Sequence, residues 1–248
     1  MDQLVADAVK QNAQLLNKPY LDDFYNTIGK WNRGQVTEFL RSIGVEPITR
    51  VMEILPCLYR KVHNLENITI PTTVSVIGDN AFEGCGKLTT VDIPDNILAV
   101  VDYAFADCMR LSNVKFNPTS KCTFIGHNAF AKTNLSKIVV PGSVKAIGPG
   151  AFYWCSNLKE AIFLEGVEDF GGTTFVECRN LSYVSLPRTL KSLGIYTFQN
   201  CKRLDKLYYS GTAKEFLEKM QNFEPTWHSG SDIKSVVCTD TVIDLADY

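Results

Sequence analysis

Five of the eight cysteines in this 248-residue chain share one setting. They sit in "AFEGCGKL", "AFADCMRL", "AFYWCSNL", "TFVECRNL" and "TFQNCKRL", three residues after a phenylalanine and three before a leucine. Cysteine can act as a nucleophile, a disulfide half or a thiolate ligand to zinc. A nucleophile is needed once, beside a base that activates it. Zinc needs ligands converging tetrahedrally, and side chains at one register of a repeat project in parallel. The histidines His63, His127 and His228 keep no metal-ligand spacing, and Cys57 with His63 makes two ligands, short of a site. His127, in the turn "IGHNAF", reads as a solvated turn residue. No phosphate loop, nucleophile elbow or zinc-protease helix motif occurs. The residues therefore assign no catalytic, metal or cofactor site, and the expectation is a protein that is not an enzyme and carries no cofactor.

Disulfide frameworks belong mainly to short exported chains. The start "MDQLVADAVKQNAQLLNK" lacks the basic-then-apolar layout of a signal peptide, so a cytoplasmic or virion location is expected. On that ground Cys85, Cys108, Cys155, Cys178 and Cys201 are expected to be reduced, buried and part of the packing, each a small apolar plug. The 25 basic and 27 acidic residues leave a net charge of −2, which argues against a general nucleic-acid or polybasic membrane binder. No apolar run approaches the roughly 18 residues of a membrane helix.

The phenylalanines set a clock. Phe82, Phe105, Phe130, Phe152, Phe175 and Phe198 are spaced by 23, 25, 22, 23 and 23 residues. A small residue precedes each (Ala81, Ala104, Ala129, Ala151, Thr174, Thr197), and Leu88, Leu111, Leu158, Leu181 and Leu204 follow six residues later. The third unit is one residue short, bringing in Leu135 early, and has no cysteine. After the leucine, "LTTVDIP", "LSKIVVP" and "LSYVSLP" alternate near their ends and stop at proline, the pattern of a half-buried strand. A second apolar pair follows, such as Val74 and Ile77 or Val144 and Ile147, and then a glycine expected to take a positive-φ corner. A period of this length marks a solenoid, whose units bury their apolar sides only against one another.

These residues resemble the BspA-like class of leucine-rich repeats, with units reading approximately L-x-x-V-x-I-P, V-x-x-I-G, A-F-x-x-C. The match runs from about Ile68 to Tyr209, and "YYSGTAKEFLEKM … WHSGSDIKSVVCTD" (208–240) looks like the family's closing segment. The resemblance implies an α/β repeat solenoid of about 23-residue units that serves as a recognition surface, like adhesins and host-binding surface proteins, with related repeats also in phage.

Three regions are expected: an N-terminal α-helical domain at 1–66, the solenoid at 67–207 and a C-terminal capping segment at 208–248. The first holds helical stretches near 1–16, 20–28, 34–44 and 48–62, and its rings Tyr20, Phe24 and Trp31 suit docking as well as capping. On the strands, Thr90, Asn113, Lys137, Glu160, Tyr183 and Lys206 should point outward, as should Asp92, Lys115, Val139, Ile162, Ser185 and Tyr208. From the third unit on, Val139, Ile162, Tyr183 and Tyr208 form an apolar stripe, open to a partner or covered by the terminal segment. The expected function is a non-enzymatic protein-binding or scaffold module of undetermined oligomeric state. The alternative is a phage head or tail component anchored by its N-terminal helices.

Overall fold

The computed structural model describes residues 53–54 and 57–247. The expected helical stretches before residue 53, with Tyr20, Phe24 and Trp31, lie outside the described residues.

Each turn of the chain lays down one short strand and one long one. The short strands are β1 (Glu53–Ile54), β2 (Val76–Ile77), β4 (Ala99–Val100), β6 (Phe124–Ile125), β8 (Ala146–Ile147), β10 (Asp169–Phe170) and β12 (Ser192–Leu193), and they stack in that order as one parallel sheet. The long strands are β3 (Thr90–Ile93), β5 (Asn113–Phe116), β7 (Lys137–Val140), β9 (Glu160–Phe163), β11 (Tyr183–Leu186) and β13 (Lys206–Tyr209). They form a β3–β5 pair and a second sheet that starts at β7. The gap between β5 and β7 follows the stretch "FNPTSKC", where the spacing of the clock lengthens to 25. The solenoid expected from the period is what the chain forms, but as a β-solenoid rather than an α/β one: the stretches that carry the rings are turns, and no helix is found between β1 and β13 among the described residues.

Its interior repeats a single layer. The ring of Tyr59 stacks on Phe82 at 4.9 Å, and Phe105, Phe130, Phe152, Phe175 and Phe198 continue the pile at centroid separations of 5.0–5.7 Å. All six phenylalanines are fully buried. Offset aromatic pairs add about 0.5–1.5 kcal/mol each beyond the area they bury. Next to the rings, each ladder cysteine donates its S–H to a backbone carbonyl of the previous unit. Cys85 Sγ reaches Tyr59 O, Cys108 reaches Phe82 O, Cys155 reaches Phe130 O, Cys178 reaches Phe152 O and Cys201 reaches Phe175 O, each at 3.1 Å. The thiol is thus a donor that ties units together as well as a plug. In the short third unit Thr133 takes the slot, its hydroxyl donating to Phe130 O at 2.9 Å and lying 3.2 Å from Cys155 Sγ.

Two further sequence expectations change. The segment 48–62 is not helical where it is described: Glu53–Ile54 is strand β1, paired with β2, and 57–61 is turn. Leu58, Tyr59, Val62 and Leu65 occupy the alanine, phenylalanine, cysteine and leucine slots of a further unit, all buried. The solenoid therefore begins before the boundary expected at residue 67. The reason is arithmetic: buried positions at i, i+1, i+4 and i+7 are those of an amphipathic helix as well as of this turn.

The second change concerns glycine. Gly126, Gly148, Gly171 and Gly194 do not have positive φ. They are needed because the neighbouring backbone passes too close for a side chain. A Cβ on Gly148 would lie 2.5 Å from Gly126 C, and one on Gly194 would lie 2.3 Å from Gly172 N. Left-handed backbone is found instead two residues before and two after each ring, as at Tyr103 and Asp107, Thr173 and Glu177, and Tyr196 and Asn200. Such residues cost on the order of 1–3 kcal/mol each. Hydrogen bonds to the next unit offset that cost, for instance Tyr103 N to His127 O at 2.8 Å and Thr173 N to Ile195 O at 2.7 Å.

After β13 the pattern changes. Helix α1 (Ala213–Met220) opens with a capping box between Thr212 and Glu215 and buries Phe216 against Tyr209 and Phe223. Trp227 then meets Phe198 edge-on at 6.2 Å. Strand β14 (Ser235–Val237) joins β13 in parallel, and β15 (Val242–Asp244) closes the sheet antiparallel.

Candidate outward recognition face

The long strands alternate because their side chains point to opposite faces. In β7, Ile138 and Val140 are buried while Lys137 and Val139 are exposed. The pairing registers make two outward rows. In the first, Thr90 faces Asn113, Lys137 faces Glu160, and Glu160 faces Tyr183. In the second, Asp92 faces Lys115, and Val139, Ile162, Ser185, Tyr208 and Val237 follow one another across neighbouring strands.

Val139 is 39 % exposed, and Ile162, Tyr183 and Tyr208 are half-buried. The Tyr183 ring bridges the rows by stacking on Tyr208 at 4.7 Å, with the ring planes 28° apart, so aromatic surface spans the strand where Ser185 interrupts the second row. The structure thus brings Val139, Ile162, Tyr183 and Tyr208 onto one face, and Val237 lengthens the stripe. The terminal segment does not fold across it. β14 and β15 extend the same sheet sideways, and α1 packs on the inward ring of Tyr209. One ion pair flanks the stripe, Lys137 Nζ to Glu160 Oε2 at 2.7 Å.

Burial pushes the Cys155 thiol up to about 11 and drives that of Cys178 well above its ordinary range, so these groups stay protonated and are poor nucleophiles or ligands. His127 Nε2 lies 2.9 Å from both Tyr103 Oη and Asn128 Nδ2 in a half-buried turn, so it has partners on the protein itself. Among the described residues no three of His, Cys, Asp and Glu are grouped to hold a metal, and no helix is long and apolar enough to cross a membrane.

Sequence reasoning missed a groove of about 380 Å³ on the two-stranded part of the face, lined by Ile70, Asp92, Ile93, Pro94, Lys115 and Phe116, among others. The lengthened spacing before Phe130 is the signal that could have drawn attention there.

The BspA-type leucine-rich-repeat model matches residues 45–159 and 123–248, in six copies, and so spans most of the chain. The chain belongs to the BspA-type leucine-rich-repeat family. Among solved structures, this BspA-type chain is similar to a T. pallidum leucine-rich-repeat protein, with 26 % identity and a TM-score of 0.58 over 72 % of this chain and 80 % of that one. It is also similar to a leucine-rich-repeat protein from Bacteroides ovatus, with 21 % identity and a TM-score of 0.41 over 70 % and 64 %. No curated protein matches it. The family match fits the packing of rings, thiols and glycines seen in each turn, and it extends over the early unit around Tyr59 that lacks the usual phenylalanine and cysteine.

Proposed function

We propose that this BspA-type repeat protein is a non-enzymatic module that binds a protein partner on the outward face of its long strands. The observation carrying the proposal is the partly exposed run of Val139, Ile162, Tyr183 and Tyr208 on a face that is polar in its first two units. Contiguous apolar surface of this kind marks interaction sites in soluble proteins, and tyrosine is enriched in them. The rings are held by their own stacking, so little side-chain freedom remains to be lost on binding. The partner surface that fits is flat and apolar, with charges placed to meet Lys137, Glu160 and Lys206 at the rim.

Two finer readings accompany this one. Residues 208–248 act as the cap of the array, supported by the antiparallel β15 and by the turn of Trp227 across the ring stack. Tyr20, Phe24 and Trp31 provide a second contact, supported by sequence composition alone. No described feature favours a virion component over a binding module.

The test uses the full chain. Photo-crosslinking probes at Ser185 and, as a control, at the outward Asn113 are compared in the native host, and a Val139→Ser/Ile162→Ser/Tyr208→Ala variant follows. A single adduct at Ser185 that the variant abolishes, with an unchanged melting curve, supports the proposal. Equal labelling at Asn113 and Ser185 would remove the stripe from consideration.

A further inference from the structure

Two residues after each ring the backbone is left-handed, and from the Tyr59 unit onward that position holds lysine, glycine, aspartate, lysine, tryptophan, glutamate and asparagine in turn. Backbone hydrogen bonds tie the column together, as from Lys132 N to Tyr153 O at 2.7 Å and from Trp154 N to Val176 O at 2.8 Å. Glycine, asparagine and aspartate accept left-handed backbone, whereas a bulky side chain there is an outlier. Trp154, at φ 58°, is that outlier, and it does not repay the strain by burial, being 45 % exposed. Backbone strain of this kind gathers at functional positions.

The groups around the indole are polar and only partly used. Arg179 of the next unit sits with its Cζ 5.8 Å from the ring centroid, near the outer limit of a cation–π contact. Glu177 accepts from Arg179 Nε at 2.6 Å and from Asn200 Nδ2 at 2.7 Å, so both of its oxygens are engaged. The terminal nitrogens of Arg179 have no hydrogen-bond partner among the described residues, and the side chain is exposed. Asn157 donates to Asn134 Oδ1, and Asn180 Nδ2 donates to Ser156 O at 2.8 Å. The Oδ1 atoms of Asn157 and Asn180 accept no bond among the described residues.

An exposed indole, a forked cation with free N–H groups and neutral amide acceptors together complement a sugar that carries a carboxylate. We infer that Trp154 and Arg179 form a binding site for a uronic-acid sugar unit. The C–H face of the pyranose lies against the electron-rich face of the indole. The carboxylate accepts from the terminal nitrogens of Arg179, whose planar fork matches it. The sugar hydroxyls donate to Asn157 Oδ1 and Asn180 Oδ1. An acidic peptide would use Arg179 as well, but it would leave the indole and the amides without a role. Binding is expected to be weak, because the site is open to solvent and its one free charge is screened.

The experiment titrates the 15N-labelled full chain with trigalacturonate and follows the indole N–H of Trp154 by NMR, with the signal assigned by its loss in Trp154→Asn. A saturable shift is expected there and at the amides of Ser156 and Arg179, with none at the indole of Trp227. The methyl ester of trigalacturonate keeps the sugars without the charge and should bind about three- to fivefold more weakly, the usual worth of one exposed charge contact. Arg179→Gln should bring trigalacturonate level with that ester. Hexaglutamate, which has the charge without the sugars, should leave the Trp154 indole unmoved. Trp154→Asn should abolish the shifts at Ser156 and Arg179 and at the same time raise the urea midpoint, because asparagine suits this backbone as Asn200 does two units on. A lowered midpoint would assign Trp154 to packing and overturn the inference. Absence of shifts at the solubility limit of trigalacturonate overturns it too, as does equal binding of the ester or of hexaglutamate, the latter assigning the site to an acidic peptide. The Val139→Ser/Ile162→Ser/Tyr208→Ala protein should respond to trigalacturonate as wild type does, so failure here and failure of the stripe as a protein contact are separately visible.

Discussion

The inside and the outside of this solenoid follow opposite rules. Inside, most units solve one packing problem in one way: a ring on a ring, a thiol on a carbonyl, and a glycine where two backbones meet. Outside, the first outward position runs through threonine, asparagine, lysine, glutamate, tyrosine and lysine, and no two neighbouring units agree. The interior has to repeat because each unit is the mould of the next. The exterior has no such constraint, so its departures from polarity, at Val139, Ile162, Tyr183 and Tyr208, are what the proposed recognition role rests on.

The contrast is sharpest for mutations of equal size. Phe152→Ala removes a fully buried ring from the middle of the pile and should cost about 3–5 kcal/mol, read as a large drop in the urea midpoint. A Phe152→Ala protein that melts like wild type would contradict the interior described here. Gly148→Ala comes next, since its methyl group would meet the backbone of Gly126 at 2.5 Å; a loss of about 1–3 kcal/mol is expected in the same assay. Its counterpart Gly86→Ala, where the nearest atom is 4.0 Å away, should be nearly silent.

The thiols give a smaller effect with a definite pH signature. Cys178→Ala should cost about 0.5–1.5 kcal/mol for the lost bond to Phe152 O, with a further contribution from the vacated volume. Burial raises the Cys155 thiol from 9.0 to about 11. A raised value in the folded state means that its stabilising contribution is complete below pH about 9 and is lost as pH climbs through about 11. The denaturation midpoint of wild type should therefore fall more steeply over that window than that of Cys155→Thr, and parallel curves would refute the assignment. In the folded protein at neutral pH a thiol reagent should leave the five ladder cysteines unmodified, and unfolding without reductant should expose all five. The smallest effect on stability belongs to the outside: Tyr208→Ala should shift the midpoint by less than about 1 kcal/mol. That same variant should abolish partner capture, which no interior substitution of comparable stability cost would do selectively.

Much of this was legible from residue types because a repeat tests its own reading. The strand rows, the buried rings and the stripe all followed from one period, and the registers of β7, β9 and β11 place Val139, Ile162 and Tyr183 as the alternation required. What escaped had physical causes. The unit around Tyr59 was hidden because Leu58, Val62 and Leu65 keep a spacing that a helix shares. The role of glycine was misread because a close approach between units leaves the same residue signature as a left-handed corner. The thiol's hydrogen bond was invisible because composition says that cysteine is small and apolar, and only the position of Phe152 O or Phe175 O reveals a donor at work. The groove depends on how three units meet at Ile70, Ile93 and Phe116, which no single unit encodes.

The edge-on ring of Trp227 has a consequence for the length of the molecule. From Tyr59 to Phe198 the rings lie within 7° of parallel, so the pile is in effect a one-dimensional crystal that could grow by accepting another layer. Trp227 lies at 80° to Phe198 and presents a face that no further ring in the same orientation can match. A lattice stops growing where a misoriented layer is laid on it. In the cap proposed above, Trp227 is such a layer, laid across the last phenylalanine of the pile.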